Sequence, residues 1–243
     1  MLPEPLTTTF VCGCGHSGTS LVANMLAAHP AVFVPTRETE TFLDAGLAVE
    51  RWRALQAEWA ASGRPHLAEK TPRHLLCLDR IRALVSRPRF VLLVRDGRDV
   101  AASFIKRFGR AEVGARRWLA ENRIVRDEAR SRDVQVLRYE DVVTEPEQAL
   151  RDLCRFAGLA FEPAMLEYHR ERRMWFGVDE LRRGTGKNGS EHRTLRNWQI
   201  NQPLFDDRGK WRSMLSAGEL APFETPEAQA LLRTFGYEAQ AGV

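Results

Sequence analysis

The segment Gly13-Cys14-Gly15-His16-Ser17-Gly18-Thr19-Ser20 sits between an apolar run, Phe10-Val11-Cys12, and a stretch where Leu21, Val22, Met25 and Leu26 recur at helical spacing. That stretch closes at His29-Pro30. Strand, glycine-rich turn and helix in this order point to folds that use the turn to receive an anion. Backbone N–H groups and the dipole of the following helix both favour negative charge there. Two templates fit at once. Gly13, Gly15 and Gly18 spell the G-x-G-x-x-G of dinucleotide folds, and Gly13 to Ser20 fits the phosphate loop of nucleotide triphosphatases, except that Thr19 stands where lysine belongs. The missing lysine argues against ordinary ATP or GTP hydrolysis. Glu38, soon after the next apolar run, keeps the dinucleotide template open as a ribose-binding acid. The plain alternative is a tight turn without a ligand.

Further along, Val32-Phe33-Val34, stopped by Pro35, reads as a strand. A helix is expected over 48–61, with Trp52, Leu55 and Trp59 on one face, then a short strand around Leu67-Ala68 and a helix from Leu75 to Val85. Phe90-Val91-Leu92-Leu93-Val94 is an unbroken apolar run, as expected of a parallel strand covered on both faces. Helices follow over 99–108 and through Trp118 and Ile124, then a strand at Val134–Leu137 and a helix from Pro146 to Phe156. Alternating strands and helices predict an α/β fold: a P-loop-type open parallel sheet flanked by helices. From Phe161 the pattern loosens into an irregular C-terminal cap, with a loop at Arg182–Gly189 and a last helix near Pro226–Phe235.

At 243 residues, 44% of them hydrophobic and 28% charged, the chain suits one domain over 1–243 with a substantial core, and global disorder is excluded. No apolar run reaches the roughly 18–20 residues of a membrane span. The start, MLPEPLTTTFVCG, lacks the basic and apolar regions of a signal peptide, so a cytoplasmic protein is expected. A net charge of +4 is too mild for a nucleic-acid binder. The basic set is mostly arginine, with only four lysines, which suits forked recognition of anions as well as a biased genome composition. Cys12, Cys14, Cys77 and Cys154 have no zinc-site spacing, and the histidines show none either, so no metal is expected.

A second constellation, Arg95-Asp96-Gly97-Arg98-Asp99-Val100-Ala101-Ala102-Ser103, begins where the best strand ends and enters a helix. Arg95 there points into the crevice in which α/β sheets bind ligands, and Ser103 adds a hydroxyl for the same anion. A surface run of ion pairs is the plain alternative. With the glycine loop, this makes two phosphate sites.

The two segments together resemble the sulfotransferases that use 3′-phosphoadenosine 5′-phosphosulfate (PAPS), with similarity to the bacterial, glycan and tyrosyl-protein branches. Further matches lie at Glu69-Lys70-Thr71-Pro72, Arg138-Tyr139-Glu140-Asp141 and Gly209-Lys210-Trp211-Arg212, all in order along most of the chain. The resemblance implies that Gly15, His16, Ser17, Gly18, Thr19 and Ser20 hold the 5′-phosphosulfate and that Arg95 and Ser103 hold the 3′-phosphate. Arg107, one helical turn after Ser103, would reach the same phosphate. Tyr139 would contact the cofactor, and Lys210 would close over the phosphates. Glu38 matches the place of the family's catalytic glutamate, with Glu40 as rival, and Lys70 matches the lysine that stabilises the transition state. His16 is a departure: the family usually carries Lys or Arg there, and His titrates near neutrality. The implied product is 3′-phosphoadenosine 5′-phosphate (PAP), and no metal is required.

The implied reaction moves a sulfonate to a hydroxyl, on a carbohydrate or small metabolite by preference. Alternatives are a P-loop small-molecule kinase, a tyrosyl-protein sulfotransferase, and a non-catalytic module binding nucleotide or sulfated glycan. Acceptor specificity is expected in residues 39–59 and 161–201, where no motif is legible.

Overall fold

The computed structural model describes residues 7–175, 177, 180–185 and 189–237, without the side chains of residues 106 and 107. Strands β1 (Thr8–Gly13), β2 (Val32–Phe33), β3 (His66–Lys70), β4 (Pro88–Val94) and β5 (Val134–Arg138) form one sheet in the order β2-β3-β1-β4-β5. Every neighbouring pair is parallel. The helices are α1 (Thr19–Ala27), α2 (Ala48–Ala61), α3 (Leu78–Leu84), α4 (Gly97–Phe108), α5 (Ala111–Glu128), α6 (Tyr139–Thr144), α7 (Pro146–Ala157), α8 (Gly189–Ile200), α9 (Trp211–Met214), α10 (Ala217–Leu220) and α11 (Pro226–Thr234). This is the open parallel α/β architecture that the alternating pattern predicts.

The strand period of two sorts the central residues onto two faces. Phe10, Cys12, Phe90, Leu92 and Val94 enter one layer of the core, with Trp52 and Leu55 of α2, Trp118 of α5 and Leu231 of α11. Val11, Val91 and Leu93 enter the other, with Val22, Met25 and Leu26 of α1 and Leu150 and Leu153 of α7. The unbroken apolar runs of β1 and β4 are thus explained by helices on both faces.

Three of the differences from the sequence expectation bear on the site. The helix predicted from Leu75 is a 3-10 turn at Pro72–Cys77 followed by α3. His74 explains the tighter turn, because its ring is held between Glu69 and the Phe42 amide. Helix α4 begins at Gly97, since the Asp96 carboxylate caps it by accepting the Arg98 amide at 2.9 Å. Helix α8 lies inside the stretch read as irregular. Its buried face carries Thr194 and Asn197 besides Ile200, so it shows no apolar periodicity. Amides anchor it instead: Asn24 of α1 donates to the Ile200 carbonyl at 2.6 Å, and Asn197 accepts from the Trp175 amide at 2.8 Å. No helix among the described residues is long and apolar enough to cross a membrane.

Gly13 ends β1 with φ +145°, and a Cβ there would lie 2.4 Å from the Leu93 carbonyl oxygen of β4. Only glycine lets the chain leave β1 while staying paired to β4. Gly13→Ala is expected to lower stability by about 2–4 kcal/mol, read as a fall in the urea midpoint with unchanged m-value.

Candidate active site

Parallel pairing brings the carboxyl ends of adjacent strands to one edge, and most of the predicted site residues gather there. The glycine loop leaves β1, Lys70 ends β3, Arg95 follows β4 and Tyr139 follows β5. The Arg95 Nη1 donates to the His16 carbonyl at 3.4 Å, which ties the two central loops together.

Within the loop, Ser17 N–H donates to the Cys14 carbonyl at 3.1 Å, and Gly18 stands at the helix entrance with φ +96°. A Cβ on Gly18 would lie 2.8 Å from the Tyr139 ring, so glycine is required both for the turn and for that approach. Ser17 is fully buried, yet its hydroxyl has no hydrogen-bond partner among the described residues. An unsatisfied buried polar atom at a helix N-terminus suits a phosphate-type oxygen. His16 takes a left-handed backbone, φ 69°, and packs its ring edge-on against Phe104 at 5.0 Å.

Lys70 is buried, and its Nζ donates to the Glu38 carboxylate at 2.8 Å while lying 5.0 Å from the centre of the Trp175 ring. Burial pulls the ammonium below the usual lysine value. Glu38 opposes that fall without cancelling it, and nearby Arg196 adds to it. Glu38 lines a cavity of about 290 Å³ with Gly15, His16, Thr19 and Ser20 of the loop. Glu40 does not share it. With φ 50° it turns to a separate cavity beside Arg37, Arg51 and Glu58.

Glu69, next to Lys70 on β3, fixes this arrangement, a role sequence reasoning did not assign. Its carboxylate is fully buried and accepts hydrogen bonds from the Thr39 hydroxyl at 2.8 Å, the Thr71 hydroxyl at 2.6 Å and His74 Nδ1 at 2.8 Å. Thr39 adjoins Glu38, so Glu69 clamps the Glu38 loop against β3.

On the other side of the loop, a neighbouring cavity of about 80 Å³ is lined by Gly18, Arg95, Tyr139 and Tyr168. The Arg95 guanidinium lies 4.0 Å from the centre of the Tyr139 ring. Its Nη2 donates to the Asp207 carbonyl at 2.6 Å and meets the Asp207 carboxylate at 3.3 Å. Lys210 pairs with the same carboxylate. Burial raises the Asp207 carboxyl, but Lys210 and Arg95 outweigh it and hold it below the usual range. Arg95 and Lys210 therefore already receive one anion between them, and Arg95 Nε is buried with no partner among the described residues. Asp99 places this segment by accepting the Gly209 and Trp211 amides at 2.7 and 3.0 Å. Glu140 braces the β4 turn by accepting the Asp96 amide at 3.0 Å.

The Ser103 hydroxyl donates to the Asp99 carbonyl at 2.9 Å within its own helix and lines neither cavity. The Arg107 side chain lies outside the described residues. Groups that sequence reasoning missed come from α5 and α8: Arg117, whose guanidinium covers Gly15, and His192, Arg193 and Arg196. Asn197, with its buried polar anchor one turn after Arg193, is the signal that would have marked α8. No cluster of metal-ligating side chains occurs among the described residues.

Burial raises the Glu69 carboxyl, but the charge and hydrogen bond of His74 and the hydroxyls of Thr71 and Thr39 outweigh it and set it below the usual carboxylate value. A carboxyl lowered by folding stabilises the fold above its unfolded value, and that contribution is lost as pH falls through the folded one. Glu69→Gln is expected to cost about 1–3 kcal/mol at pH 7. In urea titrations the gap to the parent protein should narrow as pH drops below the carboxylate range.

Residues 43–163 match the model of a family described as the sulfotransferase family. That span holds Lys70, Arg95, Ser103 and Tyr139, whereas the glycine loop and Glu38 precede it. No protein of curated function matches the sequence. Among solved structures, the chain is similar to the sulfotransferase domain of the Synechococcus PCC 7002 olefin synthase, at 20% identity over 98% of both chains, TM-score 0.64. It is equally similar to the sulfotransferase domain of the curacin biosynthetic pathway, at 21% identity over 96% of this chain and 98% of that one, TM-score 0.64. Mouse sulfotransferase SULT7A1, solved as a complex with PAP, is similar at 13% identity over 96% of this chain and 91% of that one, TM-score 0.57. The central half of the chain thus matches the sulfotransferase family, and the fold around it is the one these solved sulfotransferases share.

Proposed function

We propose that the protein transfers the sulfonate of PAPS to a hydroxyl group of an acceptor. One observation carries this: two anion-receiving centres flank a single loop. One is the helix entrance with the unpartnered Ser17 hydroxyl, and the other is Arg95 with Lys210, holding the Asp207 carboxylate. A nucleotide with phosphates at both ends of its ribose suits that pair, and a nucleoside triphosphate does not.

In this reading Gly15 to Ser20 hold the 5′ end, and Arg95, Lys210 and Tyr139 hold the 3′-phosphate side. Ser103 and Arg107 would join them only by turning toward it. Glu38 takes the proton of the acceptor hydroxyl as the acceptor oxygen bonds to sulfur. Lys70 and His16 meet the charge that builds on the 5′-phosphate oxygen as its bond to sulfur breaks, and PAP leaves. Lys70 also holds the Glu38 carboxylate in place through their ion pair. A carbohydrate or small metabolite is the favoured acceptor class.

Calorimetry tests the cofactor. PAP is expected to bind roughly ten- to a hundredfold more tightly than AMP, the size of one charge-assisted contact. Arg95→Ala should erase that difference without unfolding the protein. Asp207→Asn should tighten PAP, because the native carboxylate competes for Arg95 and Lys210. Equal affinity for the two nucleotides would falsify the assignment.

Turnover tests the chemistry. With radiolabelled PAPS, Glu38→Gln is expected to lose about 10²–10⁴-fold in kcat while PAP affinity stays unchanged. Glu40→Gln should lose far less. Equal losses would remove Glu38 from the base role, and transfer from labelled ATP in place of PAPS would make the protein a kinase.

A further inference from the structure

The cavity containing Glu38 carries more positive charge than the transfer of a sulfonate demands. Besides His16 and His192, its wall presents Arg73, Arg117, Arg193 and Arg196, with Glu38 as the one carboxylate among the lining residues. Two of the arginines have other work. Arg117 is paired with Glu121 at 2.7 Å and lies over Gly15, which places it with the loop. Arg196 donates to the Gln199 side chain at 3.0 Å and lines both cavities. The 3′ side of the nucleotide has Arg95 and Lys210, which the Glu38 cavity does not include.

That leaves Arg73 and Arg193. Arg73 comes from the turn that follows β3, and Arg193 from α8, so two unrelated parts of the chain supply cations to one wall. Both are exposed, and neither makes an ion pair among the described residues. Like charges brought to one concave surface raise the local concentration of anions and repel one another until an anion arrives. Guanidinium groups receive carboxylate, phosphate and sulfate oxygens through paired N–H donors, which a neutral hydroxyl compound does not exploit.

We propose that the acceptor is a hydroxyl compound bearing its own anionic group, a carboxylate, phosphate or sulfate, which Arg73 and Arg193 hold while the hydroxyl faces Glu38. This rests on the sulfotransfer reading of the cavity and narrows its acceptor class to acids. Neutral sugars and unmodified phenols are disfavoured, because they leave both guanidinium groups with water alone.

The experiment uses pairs of acceptors that differ in charge: glucose against glucuronate and glucose 6-phosphate, and glycerol against glycerate and glycerol 3-phosphate. Turnover is measured with labelled PAPS, and calorimetry follows binding of the same compounds to protein saturated with PAP. Saturation fills the loop and the Arg95 side, so any further anion must find another site. The charged members are expected to bind saturably and, where turned over, to exceed the neutral ones about tenfold or more in kcat/KM. Carboxylate against phosphate members show which anion the site prefers. Arg73→Gln and Arg193→Gln should raise KM for the charged acceptor with kcat and PAP affinity nearly unchanged. Absence of anion binding to the PAP-saturated protein, equal use of neutral and charged members, or loss of PAP affinity in the two variants would each overturn the proposal. The parent reading fails by a different result: a protein that binds no PAP at all is not using this cavity for sulfonate transfer, whatever anions it binds.

Discussion

The site depends on β1 running between β3 and β4 with all three strands parallel. That pairing puts the ends of three strands side by side, so residues far apart in sequence leave the sheet through one edge. Gly13 is where the constraint is tightest, because the chain turns out of β1 against the backbone of Leu93. The loop that follows meets Arg95 on one side, through the His16 carbonyl, and approaches Lys70 and Glu38 on the other. Without the sheet these groups share nothing, since each short segment alone would be an ordinary turn.

Charge is distributed around that edge in two ways. Acids that face the interior act as braces: Glu69 ties the Glu38 loop to β3, Asp99 fixes the Gly209–Trp211 segment, and Glu140 holds the turn after β4. Each satisfies backbone amides, hydroxyls or a ring nitrogen, which is how a buried carboxylate avoids the cost of desolvation. Asp207 is different. It occupies cations that the proposed chemistry needs: an internal anion holds Arg95 and Lys210 in shape where, in that reading, a phosphate would displace it.

The arginines follow the same division. Arg117 is tied to Glu121 within α5, while Arg73 and Arg193 sit on the wall of the Glu38 cavity without an internal partner among the described residues. The contrast separates cations that build the protein from cations that, in the proposed reading, are left for a ligand. It also explains why arginine suits this chain beyond composition: a guanidinium keeps its charge when partly buried and offers a fixed fork to an oxyanion.

Local pattern determined most of the element types, the parallel class of the sheet, the glycine turn between β1 and α1 and the place of Arg95 at a strand end. These depend on near neighbours: glycine spacing, apolar periodicity and the position of a charge after an apolar run. Tertiary structure decided the rest. Glu38 and Glu40 are two residues apart and alike in sequence, and only the Glu69 clamp with the left-handed turn at Glu40 sends one into the loop cavity and the other away from it. Helix α8 escaped notice because amide hydrogen bonds, which carry no sequence period, hold its buried face to α1 and to Trp175. Asp207 carries no motif in the sequence, and its pairing with Arg95 joins residues 112 positions apart. A one-dimensional pattern reports on contacts within a turn or a strand; those across such a distance exist only once the sheet has brought its loops together.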